Sequence, residues 1–315
     1  MLSYFTQPGK MFADDFAERL KVVACIEHPN MTHSEALEQV ISEADWNELK
    51  EILKELKANN IKIACCSNSV RNTVEKINIK MNIKEAKVII TGGSSGIGFE
   101  TARMLKENGA TVLISARNEA KLEKAAKELG VLSFRADMSK EDEVKALFDF
   151  ALKELGTFNV LINNAGTGWF KSLLETTSDD FQKMWEVNTK GLFIAGQQAA
   201  KHFIDQKYGN IINVGSTAAV RGFAYGSAYA ASKFAVSGLT ECWRAELRPH
   251  NIRVTQVNPS EVVTDFYETA GFEQKDITYK LKGKDIAHAI LSVLSMDDIG
   301  FVPSLEVWAT NPKRK

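Results

Sequence analysis

The sequence TGGSSGIG, residues 91–98, decides how the rest of the chain is interpreted. It follows the apolar run VII of residues 88–90 and precedes a helical pattern of apolar residues at Phe99, Ala102 and Leu105. A strand, a glycine-rich turn and a helix in this order are typical of a dinucleotide site, in which a helix N-terminus meets a pyrophosphate. An ordinary glycine turn in an α/β protein is the competing interpretation, so the motif needs support from elsewhere in the chain.

Each residue of this turn has a predicted task. Gly92 can adopt backbone angles that a Cβ would forbid, and Gly96 allows the backbone to approach a phosphate. Gly98 allows the helix to lie close to the strand. Hydroxyl groups and helix N-terminal N–H groups would contact anionic oxygens, which gives the candidate cofactor residues Gly92, Ser94, Ser95, Gly96, Ile97 and Gly98.

Composition excludes several classes of protein. The 315 residues are 25% charged and 44% hydrophobic, as in soluble globular proteins, and the formal net charge is −1. We therefore expect no nucleic-acid partner and no acidic membrane surface as a partner. The absence of a long apolar run and of a basic flank at the N-terminus favours a cytoplasmic protein. The four cysteines and five histidines have no metal-ligand spacing, so no metal site is expected.

From residue 84 onward, apolar runs alternate with amphipathic stretches, which predicts an α/β fold with a doubly wound parallel sheet of the Rossmann type. In such a sheet, ligands bind at the carboxyl ends of the strands. The predicted strands are residues 87–91, 111–115, 131–135, 159–162, 210–214, 252–257 and 305–309.

Residues just after the second and third strands indicate which dinucleotide would bind. A ribose 2′-hydroxyl is usually held by a carboxylate at the end of the second strand, and residues 115–118 contain none. Arg117 instead offers a guanidinium that suits a 2′-phosphate, which favours NADP(H), although a solvated surface arginine is the alternative. Asp137 and Met138 follow the third strand and would lie against an adenine edge. Capping of a helix by Asp137 is compatible with that role.

A tyrosine and a lysine supply the predicted chemistry. Tyr229 and Lys233, in YAASK, are four residues apart, which on a helix places them on one face. A buried ammonium beside a phenol is expected to lower the pKa of the tyrosine, so that it can exchange a proton near neutral pH. Ser216 would bond the same substrate oxygen, and Asn188 would hold a water that relays protons to Lys233.

Residues 84–315 therefore resemble a short-chain dehydrogenase/reductase. The family's glycine motif, NNAG, catalytic Asn, Ser and Tyr-x-x-x-Lys correspond to residues 91–98, residues 163–166, Asn188, Ser216 and Tyr229 with Lys233. The resemblance implies reversible hydride transfer between a nicotinamide and a carbonyl or secondary-alcohol carbon, in a homodimer or homotetramer. It also implies that further cofactor contacts come from Asn164, Ala165, Gly166, Pro259, Val262 and Thr264. Ser260 replaces the family's usual Gly after Pro259.

The substrate is indicated only in outline. Aromatic residues near the motifs favour an apolar or acyl substrate if they line the pocket, while packing in the core is the alternative. These residues are Trp169, Phe170, Phe223, Tyr225, Phe266, Tyr267 and Phe272. Within the family, the nearest general likeness is to 3-oxoacyl-(acyl carrier protein) reductases. Surfaces for assembly are expected on the helices that carry Asn188 and Tyr229, from Ala199, Ala200, Phe203, Leu239 and Trp243.

Residues 1–80 do not share this pattern and are predicted to form a small, mainly helical extension, with residues 81–315 as the NADP-binding domain. Residues 53–75 resemble a slice of a haloacid dehalogenase-like hydrolase, with Ser67 at a phosphoryl-contacting position. That family's Asp-x-Asp nucleophile has no counterpart, so we expect this part to be non-catalytic. A natural fusion and an upstream extension before Met81 both remain open.

Two other functions are compatible with these motifs. One is a non-catalytic NADP(H)-binding sensor or assembly module, which would not need the Tyr229 and Lys233 pair. The other is a bifunctional phosphatase–reductase, which would need the missing aspartate nucleophile.

Overall fold

The structure, a computed structural model, describes residues 82–264, 266, 280–297 and 300–311. The predicted extension of residues 1–80, its resemblance to hydrolases and the domain boundary at residue 80 lie outside the described residues and stay predictions. The prediction that Tyr267 and Phe272 line the pocket also lies outside the described residues.

A seven-stranded parallel sheet forms the centre of the described part, and its strands follow the order β3–β2–β1–β4–β5–β6–β9. The strands are β1 (Lys87–Thr91), β2 (Thr111–Ala116), β3 (Leu132–Arg135), β4 (Val160–Asn163), β5 (Gly209–Val214), β6 (Ile252–Pro259) and β9 (Ser304–Val307). The order reverses between β1 and β4, which is where an α/β sheet leaves a crevice for ligands. The predicted doubly wound sheet is confirmed.

Helices connect the strands and cover both faces of the sheet. They are α1 (Gly96–Glu107), α2 (Glu119–Leu129), α3 (Glu141–Leu155), α4 (Ser178–Trp185), α5 (Leu192–Gln206), α6 (Ser227–Leu247) and α7 (Gly283–Leu294). A π-helical turn, Glu186–Gly191, joins α4 to α5. None of the helices in these described ranges is long and apolar enough to cross a membrane.

Two apolar clusters lie on the two faces of the sheet. One cluster packs α1, α2 and α7 against β1, β2 and β4, and the other packs α3, α5 and α6 against the opposite face. Burial of the central strands is complete, since all six residues of β5 and all eight of β6 are buried. Strands buried on both faces are expected where helices cover both sides of a parallel sheet, although β5 and β6 also bury polar side chains such as Asn213 and Gln256.

The predicted assembly surface was wrong. Ala199, Phe203 and Trp243 are buried in the core, because they lie on the faces of α5 and α6 that meet the sheet and each other. Ala200 and Leu239 are partly buried against the same cluster. The apolar residues that these helices and α4 expose are instead Phe181, Trp185, Phe193 and Phe234.

A two-stranded parallel pair, which the sequence did not predict, lies beside the carboxyl edge of the sheet. It consists of β7 (Val262–Val263) and β8 (Leu281–Lys282), with Val262 paired to Leu281. This pair brings the chain after Pro259 back to the start of α7.

Candidate active site

The glycine turn that joins β1 to α1 is tightly packed. Gly92 and Gly96 have φ angles of +67° and +57°, in the left-handed region that favours glycine. A Cβ on Gly98 would lie 2.3 Å from the Gly92 carbonyl oxygen, so only glycine allows this approach of helix and strand. Ser95 is the N-cap residue of α1 but makes no side-chain capping bond. The N-terminus of α1 lines the cleft, and its role as an anion site stays a prediction.

The NNAG segment is bonded to this turn. Asn164 Nδ2 donates to the carbonyl oxygens of Thr91 and Gly92, both at 3.0 Å. Thr91 Oγ1 accepts the backbone N–H groups of Asn164 and Ala165 at 3.1 and 3.0 Å. Asn163 Nδ2 donates to Asn213 Oδ1 at 3.0 Å. These asparagines therefore hold the ends of β1, β4 and β5 together.

A cleft of about 1100 Å³ opens at the carboxyl ends of the strands. It brings together most of the residues that the sequence analysis singled out: Gly92, Ser94, Ser95, Gly96, Ile97, Arg117, Asp137, Met138, Asn164, Ala165, Gly166, Ser216, Tyr229, Lys233, Pro259, Val262 and Thr264. Two of the candidates do not line it. Gly98 lies beneath the turn, and Asn188 is buried behind Gly166 and Thr167.

Ser216, Tyr229 and Lys233 meet in the middle of the cleft. Ser216 follows β5 directly, and its Oγ accepts the backbone N–H of Ala218 at 3.1 Å, which leaves its proton for the Tyr229 phenol oxygen. Lys233 lies one helical turn after Tyr229 on α6, with its Nζ 5.8 Å from the Tyr229 ring centroid. The same Nζ donates to the Val214 carbonyl at 3.0 Å. A hydroxyl, a phenol and an amine thus face one region.

The expected lowering of the Tyr229 pKa is wrong for this structure. Burial raises the pKa of Tyr229 to about 12, and the hydrogen bond from Ser216 offsets only part of that rise. Burial lowers the pKa of Lys233 to about 8. The physical reason is that removal from water disfavours both the phenolate and the ammonium, and the Lys233 ammonium bonds a backbone carbonyl instead of the phenol.

Asn188 lies in the π-helical turn, a feature that occurs often at functional sites. Its Oδ1 accepts the Thr167 N–H at 2.8 Å, and its Nδ2 donates to the Thr167 carbonyl at 2.9 Å and to Ser232 Oγ at 3.1 Å. The side chain therefore connects the loop after β4 to the helix that carries Tyr229 and Lys233. The water relay through Asn188 stays a prediction.

Asp137 does not cap α3, whose N-cap residue is Lys140. Asp137 Oδ1 instead accepts the N–H and the hydroxyl of Ser139 at 3.0 and 2.8 Å, which closes a turn at the end of β3. Burial raises the pKa of Asp137, but the bonds from Ser139 and the charges of Arg117 and Arg135 outweigh it, so the pKa lies below its usual value. The carboxylate remains at the cleft wall.

Aromatic rings surround Tyr229 at the end of the cleft away from Arg117 and Asp137. The Phe170 and Phe266 rings lie 5.5 and 5.8 Å from the Tyr229 ring, and the Phe223 ring lies 5.7 Å from Phe170. Tyr225 also lines the cleft. Trp169 does not line it, and its indole Nε1 is buried without a hydrogen-bond partner.

Several cleft residues were missed by the sequence analysis. Lys121 lies near Arg117, and Arg221, Glu261, Lys280 and Trp308 line the cleft as well. None of these residues belongs to a recognisable motif. Only the one-turn spacing of Lys121 from Arg117 at the start of a predicted helix would have suggested its position.

The sequence was compared with known protein families and proteins. A family model described as short chain dehydrogenase matches residues 86–275. An uncharacterised oxidoreductase of Bacillus subtilis, YxnA, is 35% identical over 64% of this chain, and the match spans 59% of that protein's length. Short chain aldehyde dehydrogenase 1 of Euphorbia lathyris is 34% identical over 68% of this chain and 77% of its own length.

Solved structures show the same similarity. An alcohol dehydrogenase from the archaeon Thermococcus sibiricus, complexed with 5-hydroxy-NADP, is 29% identical with a TM-score of 0.67, over 73% of this chain and 100% of its own. A 3-ketoacyl-(acyl-carrier-protein) reductase from Brucella melitensis, complexed with NADH, is 30% identical with a TM-score of 0.67, over 71% of this chain and 97% of its own. With the sheet order, the glycine turn and the Ser216, Tyr229 and Lys233 cluster, these matches establish that the chain belongs to the short-chain dehydrogenase family of oxidoreductases.

Proposed function

We propose that this chain is an NADP(H)-dependent oxidoreductase that interconverts a carbonyl and a secondary alcohol. The observation that carries the proposal is the convergence of Ser216, Tyr229 and Lys233 on the same cleft as the glycine turn. The nicotinamide cofactor, when bound, supplies or accepts the hydride. The alcohol dehydrogenase and the reductase described above were crystallised with nicotinamide cofactors, which supports this choice of cofactor.

Each of the three side chains has a task in the reducing direction. Tyr229 donates its phenolic proton to the carbonyl oxygen, and Ser216 donates a hydrogen bond to the same oxygen. Lys233, whose pKa burial lowers to about 8, exchanges a proton close to neutral pH and replaces the one that Tyr229 gives up. We propose that Asn188 supports this relay, as the family resemblance implies.

The residues of the cleft fit a dinucleotide. The N-terminus of α1 would hold the pyrophosphate, and the candidate residues given above would hold the two nucleosides. Arg117 and Lys121 line the end of the cleft beside Asp137, and no carboxylate from residues 115–118 at the end of β2 is present for a ribose 2′-hydroxyl. Two cations at this place favour a 2′-phosphate, and hence NADP(H) over NAD(H).

The aromatic wall formed by Phe170, Phe223 and Phe266 favours an apolar or acyl substrate. We propose 3-oxoacyl thioesters as the first substrates to examine, since the Brucella relative is named as a 3-ketoacyl reductase. A panel of ketoacyl thioesters, diketones and 3-hydroxy acids, followed through NADPH absorbance, would identify the class.

Replacement of Tyr229 by Phe tests the reaction. We expect turnover to fall by about 10²- to 10⁴-fold, since the general acid is lost, while NADPH still binds and quenches protein fluorescence. The matched control is Tyr208→Phe, because Tyr208 does not line the cleft. Unchanged turnover in the Tyr229 variant would contradict the proposal.

We also propose a homodimer or homotetramer. Phe181, Trp185, Phe193 and Phe234 are exposed on α4, α5 and α6, and a protein that stayed monomeric would seldom leave several large apolar rings on neighbouring helices in water. The Phe181 and Trp185 rings are stacked with centroids 6.3 Å apart, which makes a flat surface suited to a second copy.

A further inference from the structure

Arg221 lies in the loop between β5 and α6, five residues after Ser216, and lines the substrate end of the cleft. Its Cζ lies 5.6 Å from the centroid of the Trp308 ring. The Trp308 indole N–H donates to Glu306 Oε2 at 2.8 Å, which fixes the ring beside the guanidinium. A loop and the segment after the last strand thus meet at the cleft mouth.

None of the described carboxylates pairs with Arg221, and none of the tasks assigned above to the cations of the cleft involves it. Lys280 pairs with Glu261 at 2.9 Å. Arg117 lies at the opposite end of the cleft, near Asp137. Lys233 lies beside Tyr229, where we assign it to the reaction itself. Glu306 accepts the indole N–H, and within the described part of the chain no carboxylate lies within 4.0 Å of the Arg221 guanidinium.

The contact with Trp308 leaves the charged group of Arg221 available to a ligand. The guanidinium lies over the ring within the distance of a cation–π contact, and no described carboxylate occupies its N–H donors. Those donors match the two oxygens of a carboxylate or a phosphate. Contact with the ring also restricts the long side chain before any ligand arrives, so less conformational entropy is lost on binding.

A row of aromatic contacts leads from the reacting group to the loop that carries Arg221. The Tyr229 ring contacts Phe170 at 5.5 Å, and Phe170 contacts Phe223 at 5.7 Å between ring centroids. Phe223 is two residues from Arg221 in the same loop. A substrate whose carbonyl reaches Tyr229 would therefore pass an apolar wall before its far end reaches the guanidinium.

We propose that Arg221 and Trp308 form a subsite for an oxyanion, either a carboxylate or a phosphate, at the end of the substrate remote from the carbonyl. The substrate class is then an oxo compound in which an apolar stretch separates the reacting carbonyl from the anionic group. This inference rests on the proposed carbonyl reduction.

The test uses matched ketones in the full-length protein with NADPH. A series of oxo acids of increasing chain length is compared with the methyl esters of the same acids, and with oxo-alkyl phosphates as a separate arm. We expect the anionic member to exceed its ester in kcat/KM by about tenfold, mainly through KM, with an optimum chain length that the esters lack. The oxyanion is identified by whichever series, the oxo acids or the oxo-alkyl phosphates, has the higher kcat/KM.

Two variants test whether the contact between Arg221 and Trp308 causes the preference for acids over esters. Arg221→Gln should reduce the acid-to-ester ratio of kcat/KM to about one, and Trp308→Leu should lower it in the same direction. The matched control is Arg248→Gln, which removes an equal charge from an arginine that lies 5.9 Å from the Phe301 ring and does not line the cleft. In that variant the ratio should stay as in the wild type.

The outcomes separate the two proposals. Equal kcat/KM for acids and esters in the wild type, or a ratio that survives Arg221→Gln, would overturn the oxyanion subsite while carbonyl reduction stands. A wild-type protein that reduces neither esters nor acids with either nicotinamide cofactor would overturn the proposed function itself.

Discussion

Ser216 owes its position to a row of buried amides on β6. Its backbone N–H donates to Asn258 Oδ1 at 3.2 Å, and the same oxygen accepts Gln256 Nε2 at 2.8 Å. Gln256 Nε2 also donates to Ser237 Oγ, on the helix that carries Tyr229. A Cβ on Gly215 would lie 2.2 Å from Asn258 Oδ1, so the residue before Ser216 must be glycine. Asn258 thus acts as a positioning residue.

Replacement of Asn258 by Leu should lower kcat by about 10- to 100-fold, because a hydrogen-bond donor displaced from the reacting oxygen loses most of its effect. The decisive measurement is a double-mutant cycle: in a Ser216→Ala background, the same replacement should cost little further activity. Thr255→Val is the control, since Thr255 is buried on the same strand but bonds the Val302 carbonyl. Additive losses in the cycle would refute the positioning role.

The cofactor preference also depends on one residue. Arg117→Leu should raise the KM for NADPH by about tenfold and leave the KM for NADH nearly unchanged, because only NADPH carries the 2′-phosphate. Steady-state kinetics with both cofactors measure this difference. Arg103, an exposed arginine on α1 that does not line the cleft, provides the control variant Arg103→Leu. Equal rises for both cofactors would argue against the assignment.

At the residue scale, the sequence indicated where the reactive side chains lie in the fold, but it could not indicate the burial and the charges around them. Ser216, Tyr229 and Lys233 stand in recognisable motifs next to predicted strands and helices, and the structure brings them together. The direction of the Tyr229 pKa shift depends on the balance between burial and a neighbouring charge, which no spacing reveals. Arg221 and Trp308 are 87 residues apart in the chain, so their contact has no local signature.

At the scale of elements, His202 connects α5 to the segment between α3 and β4. Its Nε2 lies 2.9 Å from Thr157 Oγ1 and accepts the Phe158 N–H at 3.4 Å, and its ring stacks on Phe158 with centroids 4.5 Å apart. A nitrogen that accepts hydrogen bonds cannot also carry a proton. Burial lowers the pKa of His202, although the charge of Asp205 opposes the shift.

This contact predicts a loss of stability in acid. Because the folded-state pKa of His202 is lower than its unfolded value of about 6.5, only the unfolded chain takes up the proton as the pH falls below about 6.5. The free energy of unfolding should therefore fall from that pH downward and should not depend on this group above it. The free energy of unfolding, measured with urea at about pH 8 and at about pH 5.5, should differ less between the two pH values in His202→Gln than in the wild type. His288→Gln, at an exposed position of α7, should behave as the wild type, and an unaltered pH slope in the His202 variant would count against the explanation.

Strands were predicted closely and helix faces were not. The runs at residues 87–91 and 252–257 are rich in apolar and β-branched residues, and the observed strands match them within two residues. Helices α5 and α6 carry apolar residues on more than one face, so periodicity could not tell that Phe203 enters the core while Phe193 is exposed. Pairing of β7 with β8 joins two-residue segments, which are too short to show any alternation.

At the scale of the whole molecule, the exposed rings on α4, α5 and α6 predict assembly. In an isologous contact each ring meets the same surface of a second copy, so a charge introduced there is buried twice. Phe193→Glu should therefore shift the mass measured by light scattering from a dimer or tetramer toward the monomer. Leu152→Glu, on exposed α3 surface, should leave the mass unchanged. A monomeric wild type would contradict the assembly proposal.

The β7–β8 pair has a consequence for the exchange of segments between relatives. Val262 and Val263 pair in register with Leu281 and Lys282, so the two ends of the intervening stretch are fastened to each other independently of what lies between them. Val262 lines the cleft, and Leu281 leads directly into α7. Because this pair holds the two ends together, we expect that exchanging residues 264–280 for the corresponding stretch of another family member, even one of different length, leaves the seven-stranded sheet and α7 in place.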